Sequence, residues 1–290
     1  MRRTRTGIGA AALLAVAAIL SACAGAPPAE PVNLATIEAT PSLADVATVA
    51  VLGDSMSLGV NACAEPGRCL SSSWATGDDP AVASVALRVG EVAGEFPEVV
   101  NAAKDGGTVA DALARVDDVI AAQPDLVLLL LGGNDLCGAS VDDMTSAENY
   151  RTAYSEILSR LSAEIDGVKI MAMSVPDLHR LWEVGHDNDA AAQLWNQAPN
   201  CKNLLSDAQA TDAATEARRA AVAERNTEFN AAIAEVCTAD VSCTTDGGRL
   251  FAYPFTPEQI SSIDYFHPSV AGEAVIAEIA WTALEKANAQ

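Results

Sequence analysis

The fold of this chain is decided around the stretch Val49-Ala50-Val51-Leu52-Gly53-Asp54-Ser55-Met56. A short apolar run without polar alternation is typical of a strand buried on both faces, as in a parallel sheet. The glycine and aspartate that follow it indicate a turn. Ser55 is therefore predicted to lie at the carboxyl end of a buried strand.

Similar apolar runs recur along the chain and alternate with helical patterns. The other predicted strands lie at 126–131 and 170–174, with a weaker one at 99–102. Apolar spacings of three and four predict helices at 82–92, 109–122, 154–165 and 212–237, and a last helix that follows Pro268, a residue suited to a first helical turn. This alternation predicts a three-layer α/β/α domain with a central, mainly parallel sheet.

Three further polar blocks follow the same pattern. They are Asn101-Ala102-Ala103-Lys104-Asp105-Gly106, Gly132-Gly133-Asn134-Asp135 and Asp264-Tyr265-Phe266-His267. The first two come after predicted strands. Because the carboxyl ends of parallel strands share one edge of the sheet, we expect Gly106 and Asn134 on the same edge as Ser55.

Ser55 and the last block contain the parts of an activated nucleophile. A serine hydroxyl attacks readily only when a neighbouring base takes its proton, and a third group must fix the tautomer of that base. His267 is the strongest candidate base because Asp264 precedes it by three residues, a spacing that can place both side chains on one side of a turn. We predict that Asp264 binds one imidazole nitrogen and that the other faces Ser55.

Together the four blocks resemble the SGNH (GDSL-type) hydrolases, a family of serine esterases and lipases. The resemblance covers about residues 45–285 and implies a flavodoxin-like domain. It also implies an oxyanion hole made by the backbone N–H groups of Ser55 and Gly106 and by the side-chain amide of Asn134, with Gly107 as an alternative to Gly106. Met56 replaces the leucine of the family name, an apolar change that leaves this chemistry intact.

Two segments resemble the phospholipase B and lysophospholipase branch of that family. They are Gly132-Gly133-Asn134-Asp135-Leu136-Cys137 and Ser72-Ser73-Trp74-Ala75-Thr76-Gly77. The nucleophile does not lie in a G-x-S-x-G elbow, which argues against an α/β-hydrolase. The resemblance therefore ranks lipid esters first among the substrates.

His179 and His186 lie in a segment with several aspartates but without a metal-binding pattern such as HExxH. We interpret both as surface or loop residues. An acyl-enzyme route requires no metal and no organic cofactor, so none is expected. Trp74, Trp182 and Trp195 are candidates either for a substrate groove or for the core.

The chain has seven cysteines. Those that follow Cys23 are even in number, which in an exported chain indicates disulfides rather than free thiols. Neighbours in the sequence are expected to pair. The expected pairs are Cys63 with Cys69, Cys237 with Cys243, and Cys137 with Cys201. A zinc site is the alternative, but CxxC pairs are missing.

Residues 1–22 have the features of a secretory signal peptide. Three arginines precede a short apolar stretch that ends in small residues before Cys23. This ending resembles a bacterial lipobox, in which the cysteine is acylated, although an ordinary cleaved signal is the alternative. We expect Cys23 to anchor the chain to the extracytoplasmic face of the cell membrane, from which it can also be released.

Residues 23–44 are rich in Ala, Pro, Thr and Glu without a sustained period, and we predict a flexible tether. Residues 45–290 are then a single domain, and we expect a monomer. The formal net charge of −22 disfavours nucleic acid as a partner because binding to phosphate backbones requires clustered Lys and Arg.

These observations predict a serine esterase that hydrolyses carboxylic esters, of lipase or lysophospholipase type. The first alternative is an O-acyl esterase that removes acetyl or longer groups from polysaccharide or glycolipid of the cell envelope. The second is a surface binding protein that keeps the fold without turnover. The substrate is a small-molecule or glycan ester in either enzymatic case.

Overall fold

The computed structural model describes residues 42–198 and 200–289. The predicted signal peptide, Cys23 and the tether as far as residue 41 lie outside the described residues. Leu43, which the sequence assigned to the tether, is buried in the core against the helices of one face of the sheet.

The centre of the fold is a five-stranded sheet in the order β2-β1-β3-β4-β5, with every neighbouring pair parallel. This order is the flavodoxin-like one. The strands are β1 (Thr48–Gly53), β2 (Glu98–Asn101), β3 (Leu126–Leu130), β4 (Lys169–Ala172) and β5 (Cys243–Thr245). The predicted fold class is confirmed.

Ten α-helices are described, joined by short 3₁₀ turns. They are α1 (Val85–Ala93), α2 (Val109–Leu113), α3 (Val116–Ala122), α4 (Gly133–Leu136), α5 (Ala147–Glu164), α6 (Leu178–Gly185), α7 (Asp189–Gln197), α8 (Lys202–Leu205), α9 (Ala213–Thr238) and α10 (Val270–Asn288). The 3₁₀ turns are Leu43–Asp45, Met56–Leu58, Leu70–Ser72, Val141–Asp143 and Pro257–Gln259.

The helices cover the sheet on both faces. Side chains that alternate along β1 divide between two buried clusters, so that Val49 and Val51 face α1 and α10 while Ala50 and Leu52 face the other layer. That layer contains α2, α3, α5 and α9. Each strand is buried on both faces because each face carries its own helical layer.

Several elements differ from the sequence prediction. The helix predicted at 109–122 is two helices, because the backbone leaves helical values at Arg115. β5 was not predicted, since it has only three residues and none is fully buried. The three short helices of segment 175–210 were not predicted either. The last helix follows Pro268 as predicted, but it starts at Val270 with Ser269 as its N-cap, so Pro268 precedes the first helical turn rather than belonging to it.

The three expected disulfides are present in the structure. Two close short loops and one joins distant parts of the chain: Cys63–Cys69, Cys237–Cys243 and Cys137–Cys201. The long-range bond fastens the end of α4 to the segment that contains α6, α7 and α8, which we call the insertion (residues 175–210). Over residues 42–198 and 200–289, each helix is too short or too polar to be a membrane span.

Candidate active site

The candidate site lies where the strand order reverses, between β1 and β3. The chain leaves β1 toward β2 on one side, and β3 lies on its other side, so a crevice opens at the carboxyl ends of the two central strands. Ser55 follows β1, Asn134 follows β3 and Gly106 follows β2. The fold therefore places all three predicted residues at one edge.

Ser55 lies in a tight turn behind β1 and is almost buried. Its carbonyl accepts hydrogen bonds from the N–H groups of Leu58 and Val60, which closes the turn. Gly59 ends the turn in the left-handed region, at φ 58°, where a Cβ would also meet the carbonyl of Cys69. The hydroxyl of Ser55 is thereby held at a fixed place on the crevice floor.

The segment Ser72-Ser73-Trp74-Ala75-Thr76-Gly77 supports this turn from behind. The Ser73 hydroxyl donates to the carbonyl of Ser57 at 2.8 Å, and the Trp74 indole donates to the Ser57 hydroxyl at 3.3 Å. Trp74 is fully buried. The segment therefore has a structural role beneath the nucleophile and does not line the crevice.

The structure brings Ser55, His267 and Asp264 into contact. His267 Nε2 lies 2.8 Å from Ser55 Oγ, and His267 Nδ1 lies 2.5 Å from Asp264 Oδ2. The other carboxylate oxygen of Asp264 accepts the backbone N–H groups of Phe266 and His267. With Nδ1–H donating to the carboxylate, Nε2 is left to accept the serine proton.

The turn between Asp264 and His267 depends on an unusual backbone at Tyr265. Its φ of 54° lies in the left-handed region, which non-glycine residues rarely adopt. The carbonyl of Tyr265 accepts the indole N–H of Trp195 at 3.1 Å, and its N–H donates to Ser261. These bonds to the insertion and to the preceding loop hold the strained residue in place.

Two carboxyl groups near His267 have shifted pKa values in opposite directions. Burial raises the pKa of Asp264, but the hydrogen bond and charge of His267 and the hydrogen bond of Asn61 outweigh it, so the pKa falls below its usual value. Asp54, next to the nucleophile, is completely enclosed, and burial raises its pKa to about 7. Because its lowered pKa keeps Asp264 ionised, its carboxylate is suited to pairing with the imidazolium of His267.

The predicted oxyanion donors line one crevice together with Ser55. Gly106 has φ 67° and open space around its α-carbon, so backbone can approach a ligand closely there. One N–H of the Asn134 amide donates to the carbonyl of Gly107 at 3.0 Å. The second N–H of the same amide does not take part in this bond and can donate to an oxyanion. The same bond ties the loop of Gly106 to α4.

Asp135, for which the sequence predicts no role, positions the start of a helix in the structure. Its side chain is buried and accepts the backbone N–H of Val109 at 2.9 Å and the hydroxyl of Thr145 at 2.8 Å. It therefore fixes the start of α2 against α4. Its partners Val109 and Thr145 are not its neighbours in sequence, so only its position next to Asn134 could have suggested this role.

Two clefts meet at Ser55 and His267. The first is mainly apolar. Its apolar side chains are those of Met56, Pro176, Leu178, Leu181, Phe255, Ile260, Phe266, Pro268 and Ile276. The second is lined by apolar groups and by polar ones, among them Asp105, Asn134 and Asn200. A bound ester can therefore extend in two directions from the serine.

The remaining candidate side chains are not brought to the serine. His179 lies on α6 and His186 caps its C-terminal end, on either side of Trp182, which packs in the core. Trp195 is buried but reaches the second cleft. No group of three or more metal-ligating side chains occurs within the described residues.

Comparison with known proteins places this site in a family. A profile of the GDSL-like Lipase/Acylhydrolase family matches residues 51–275. No curated protein sequence matches the chain.

Several solved structures share the fold at low sequence identity. A lipase/acylhydrolase from Enterococcus faecalis has a TM-score of 0.50 at 18% identity, covering 83% of this chain and 95% of its own. TesA has a TM-score of 0.52 at 20% identity, with coverage of 82% and 98%. An acetyl xylan esterase from Geobacillus stearothermophilus has a TM-score of 0.51 at 20% identity, with coverage of 82% and 94%. These similarities support the fold.

The family profile covers well over half of the chain and includes both Ser55 and His267. In the structure these two side chains are in contact, with His267 Nε2 at 2.8 Å from Ser55 Oγ. The chain therefore belongs to the GDSL-like lipase/acylhydrolase family and is a carboxylic ester hydrolase.

Proposed function

We propose that this enzyme hydrolyses its ester through an acyl-enzyme formed on Ser55. The main support is the 2.8 Å contact between Ser55 Oγ and His267 Nε2. The hydroxyl attacks the ester carbonyl carbon while His267 takes its proton, and Asp264 holds the imidazole and balances the charge that it acquires.

The tetrahedral intermediate places a negative charge on the former carbonyl oxygen. The N–H groups of Ser55 and Gly106 and the amide of Asn134 are its donors in this proposal. The intermediate collapses as His267 gives the proton to the departing alcohol. Water, activated by the same imidazole, then attacks the acyl-enzyme and releases the acid. No metal and no organic cofactor takes part in this route.

The apolar cleft supports an acyl chain longer than acetyl. An acetyl group has one methyl carbon and would leave most of the side chains of Met56, Leu178, Leu181 and Phe266 without a ligand contact. Burying methylenes against them is favourable by about 0.8 kcal/mol each. We therefore assign the acyl chain to the first cleft and the alcohol to the second, which gives an esterase of lipase or lysophospholipase type.

A chain-length series tests this assignment. We expect kcat/KM on p-nitrophenyl esters to rise from acetate toward chains of about six to ten carbons, since each added methylene finds apolar contact. An O-acetyl esterase of envelope polysaccharide, the alternative from the sequence, predicts the opposite order. Preference for acetate would overturn the lipid-ester assignment.

The acyl-enzyme itself is tested with Ser55→Ala and His267→Ala. Both variants should lose at least about 10³-fold in kcat, as expected for members of one catalytic unit. A fluorophosphonate probe should label the wild type at Ser55 and leave Ser55→Ala unlabelled. Labelling at another residue, or turnover by Ser55→Ala, would contradict the mechanism. A folded wild type without adduct or turnover would indicate a binding protein.

We also propose that Cys23 is acylated and holds the enzyme at the extracytoplasmic face of the cell membrane. The support is the sequence alone, namely the basic and apolar leader that ends in small residues before the cysteine. Radiolabelled palmitate should be incorporated into the wild type and not into Cys23→Ser, which should appear in the soluble fraction. Equal fractionation of the two would contradict the anchor.

A further inference from the structure

A fourth side chain completes the row formed by Ser55, His267 and Asp264. The amide Nδ2 of Asn61 donates a hydrogen bond to Asp264 Oδ2 at 2.7 Å. The same oxygen accepts the proton of His267 Nδ1. Asn61 is separated from Asp264 by more than two-thirds of the chain, so no local pattern in the sequence indicates this contact.

Each polar group of Asn61, in the side chain and in the backbone, takes part in a hydrogen bond. Its side-chain oxygen accepts the N–H of Gly67 at 2.8 Å, and its own N–H donates to the carbonyl of Gly67 at 2.7 Å. Its carbonyl accepts the hydroxyl of Ser261 at 2.6 Å. Because the oxygen of the amide is occupied by a donor, the NH₂ group must face the carboxylate.

The partner of Asn61 belongs to a small exposed loop that a disulfide closes. The side chains of residues 64–68 are exposed, so packing contributes little to the shape of this loop. The Cys63–Cys69 bond closes it, and the N–H of Cys69 donates to the carbonyl of Leu58 beside the nucleophile turn. The covalent closure therefore replaces the packing that would otherwise restrict Gly67.

We propose that Asn61 is a positioning residue for the Asp264–His267 pair and that the loop closed by Cys63–Cys69 keeps it in place. The inference rests on the proposed acyl-enzyme function. Asn61 lines neither of the two clefts, so it acts on the reaction through Asp264. By fixing Oδ2, it fixes the imidazole orientation that keeps Nε2 on the serine.

Two substitutions separate this role from a merely structural one. Asn61→Gly removes the side chain and suits the backbone φ of 59° without strain. Its kcat should fall roughly 10- to 100-fold, the range that corresponds to a lost hydrogen bond to a charged group, while KM stays within about twofold. The KM is preserved because the substrate does not touch Asn61.

Asn61→Asp is nearly isosteric and keeps the acceptor for Gly67, but its introduced carboxyl can donate to Asp264 only while protonated. Its loss of kcat relative to the wild type should therefore grow as the pH rises from about 4 to 7, the range in which one carboxyl of such a pair loses its proton. Glu65→Gln is the control, because Glu65 is an exposed residue of the same loop. We expect wild-type kcat and KM for it.

The disulfide is tested by a double-mutant cycle. Cys63→Ser with Cys69→Ser should lower kcat without raising KM, and adding Asn61→Gly should lower it little further, because both changes remove one contact. If the fold-losses in kcat of the disulfide variant and of Asn61→Gly multiply in the combined variant, the loop does not act through Asn61 and its proposed role is overturned.

The Asn61 variants can also contradict the positioning role directly. A kcat within about twofold of the wild type in both Asn61 variants would overturn the positioning role. So would an activity loss that is constant with pH in Asn61→Asp and matches a loss of folded protein by circular dichroism. If Ser55→Ala is inactive while Asn61→Gly is fully active, this inference alone fails. Turnover by Ser55→Ala would instead refute the acyl-enzyme.

Discussion

Asp54 precedes the nucleophile, and its carboxyl is enclosed by protein. It accepts the backbone N–H of Met56 at 3.0 Å, yet burial raises its pKa from 3.8 to about 7. In the unfolded chain the same carboxyl loses its proton near its ordinary pKa. The folded state therefore binds a proton that the unfolded state releases between about pH 4 and pH 7, and the contribution of Asp54 to stability falls as the pH rises through that window.

Asp54→Asn should remove this dependence. The amide keeps the acceptor for Met56 and cannot ionise, so the variant should gain stability over the wild type as the pH rises from about 4 to 7, with no further gain above about 8. Urea unfolding at several pH values and constant ionic strength measures the difference. Glu273 is also buried with a raised pKa, to which the charge of Asp54 contributes, so its change of titration is part of the measured difference. A gain that is independent of pH would contradict the assignment.

Asn134 is the side-chain donor of the proposed oxyanion hole. Asn134→Ala should reduce kcat by about 10²- to 10³-fold with little change in KM, because the donor acts on the charge of the transition state. Steady-state kinetics on one p-nitrophenyl ester measures this. Thr145→Val is a control for the loss of a nearby buried hydrogen bond, since Thr145 contacts Asp135. Equal losses of kcat in the two variants would argue against a direct role for the amide.

At this scale the sequence indicated which residue types come together. Ser55, His267 and Asp264 could be proposed because the reaction needs these three groups, and because Asp264 and His267 are close in sequence. Asn61 could not be proposed, since an asparagine near a glycine is a common turn. Its role depends on a contact across the fold.

The elements differ in how well their patterns describe them. β3 is wholly apolar and β1 is apolar from Val49 to Leu52, and both were predicted because both faces of each strand pack against helices. β5 is half-exposed and short, so its sequence has no strand pattern. The insertion consists of short capped helices, such as α6 with Asp177 as N-cap, whose length is too small for a reliable period.

Helix α6 of the insertion supplies part of the apolar cleft, and Leu181 tests its role in substrate choice. Leu181→Phe should fill the cleft and lower kcat/KM for chains of about eight carbons more than for acetate. Leu181→Ala should enlarge it and shift the preference toward longer chains. Rates across the ester series measure both.

Val241→Phe serves as the matched control, since Val241 is fully exposed beside β5, away from both clefts. Identical chain-length profiles for the two Leu181 variants and the wild type would show that α6 does not bound the acyl chain.

On the scale of the whole molecule, the disulfides differ in the length of chain they close. Cys137–Cys201 spans a sequence separation of 64, whereas Cys237–Cys243 spans 6. A longer closed loop removes more conformational entropy from the unfolded chain. The long bond also joins α4, next to Asn134, to the insertion.

Replacing each pair by serines should show this difference. Loss of Cys137–Cys201 should lower the free energy of unfolding by about 4 kcal/mol and loss of Cys237–Cys243 by about 2 kcal/mol, on the chain-entropy estimate. Urea unfolding without reductant measures both. Equal losses would indicate that strain or residual structure, rather than loop length, sets the contribution.

The overall topology was predictable, whereas the shape of the substrate clefts was not. Parallel strands that alternate with helices allow few arrangements, and the site must lie at their carboxyl edge. The apolar cleft, for example, is lined by Leu178, Phe255 and Phe266, which come from three separate loops and helices. Their juxtaposition follows from tertiary packing that no local pattern encodes.

The indole of Trp195 joins the insertion to the carbonyl of Tyr265, and Gly185 leaves the space that this indole occupies. The insertion, which lines the apolar cleft, therefore also stabilises the turn that carries His267. Directed evolution of chain-length preference should accordingly proceed by single replacements at Leu178 and Leu181. Replacing the whole insertion by a homologous segment would misalign the imidazole of His267, unless the hydrogen bond between Trp195 and the carbonyl of Tyr265 were retained.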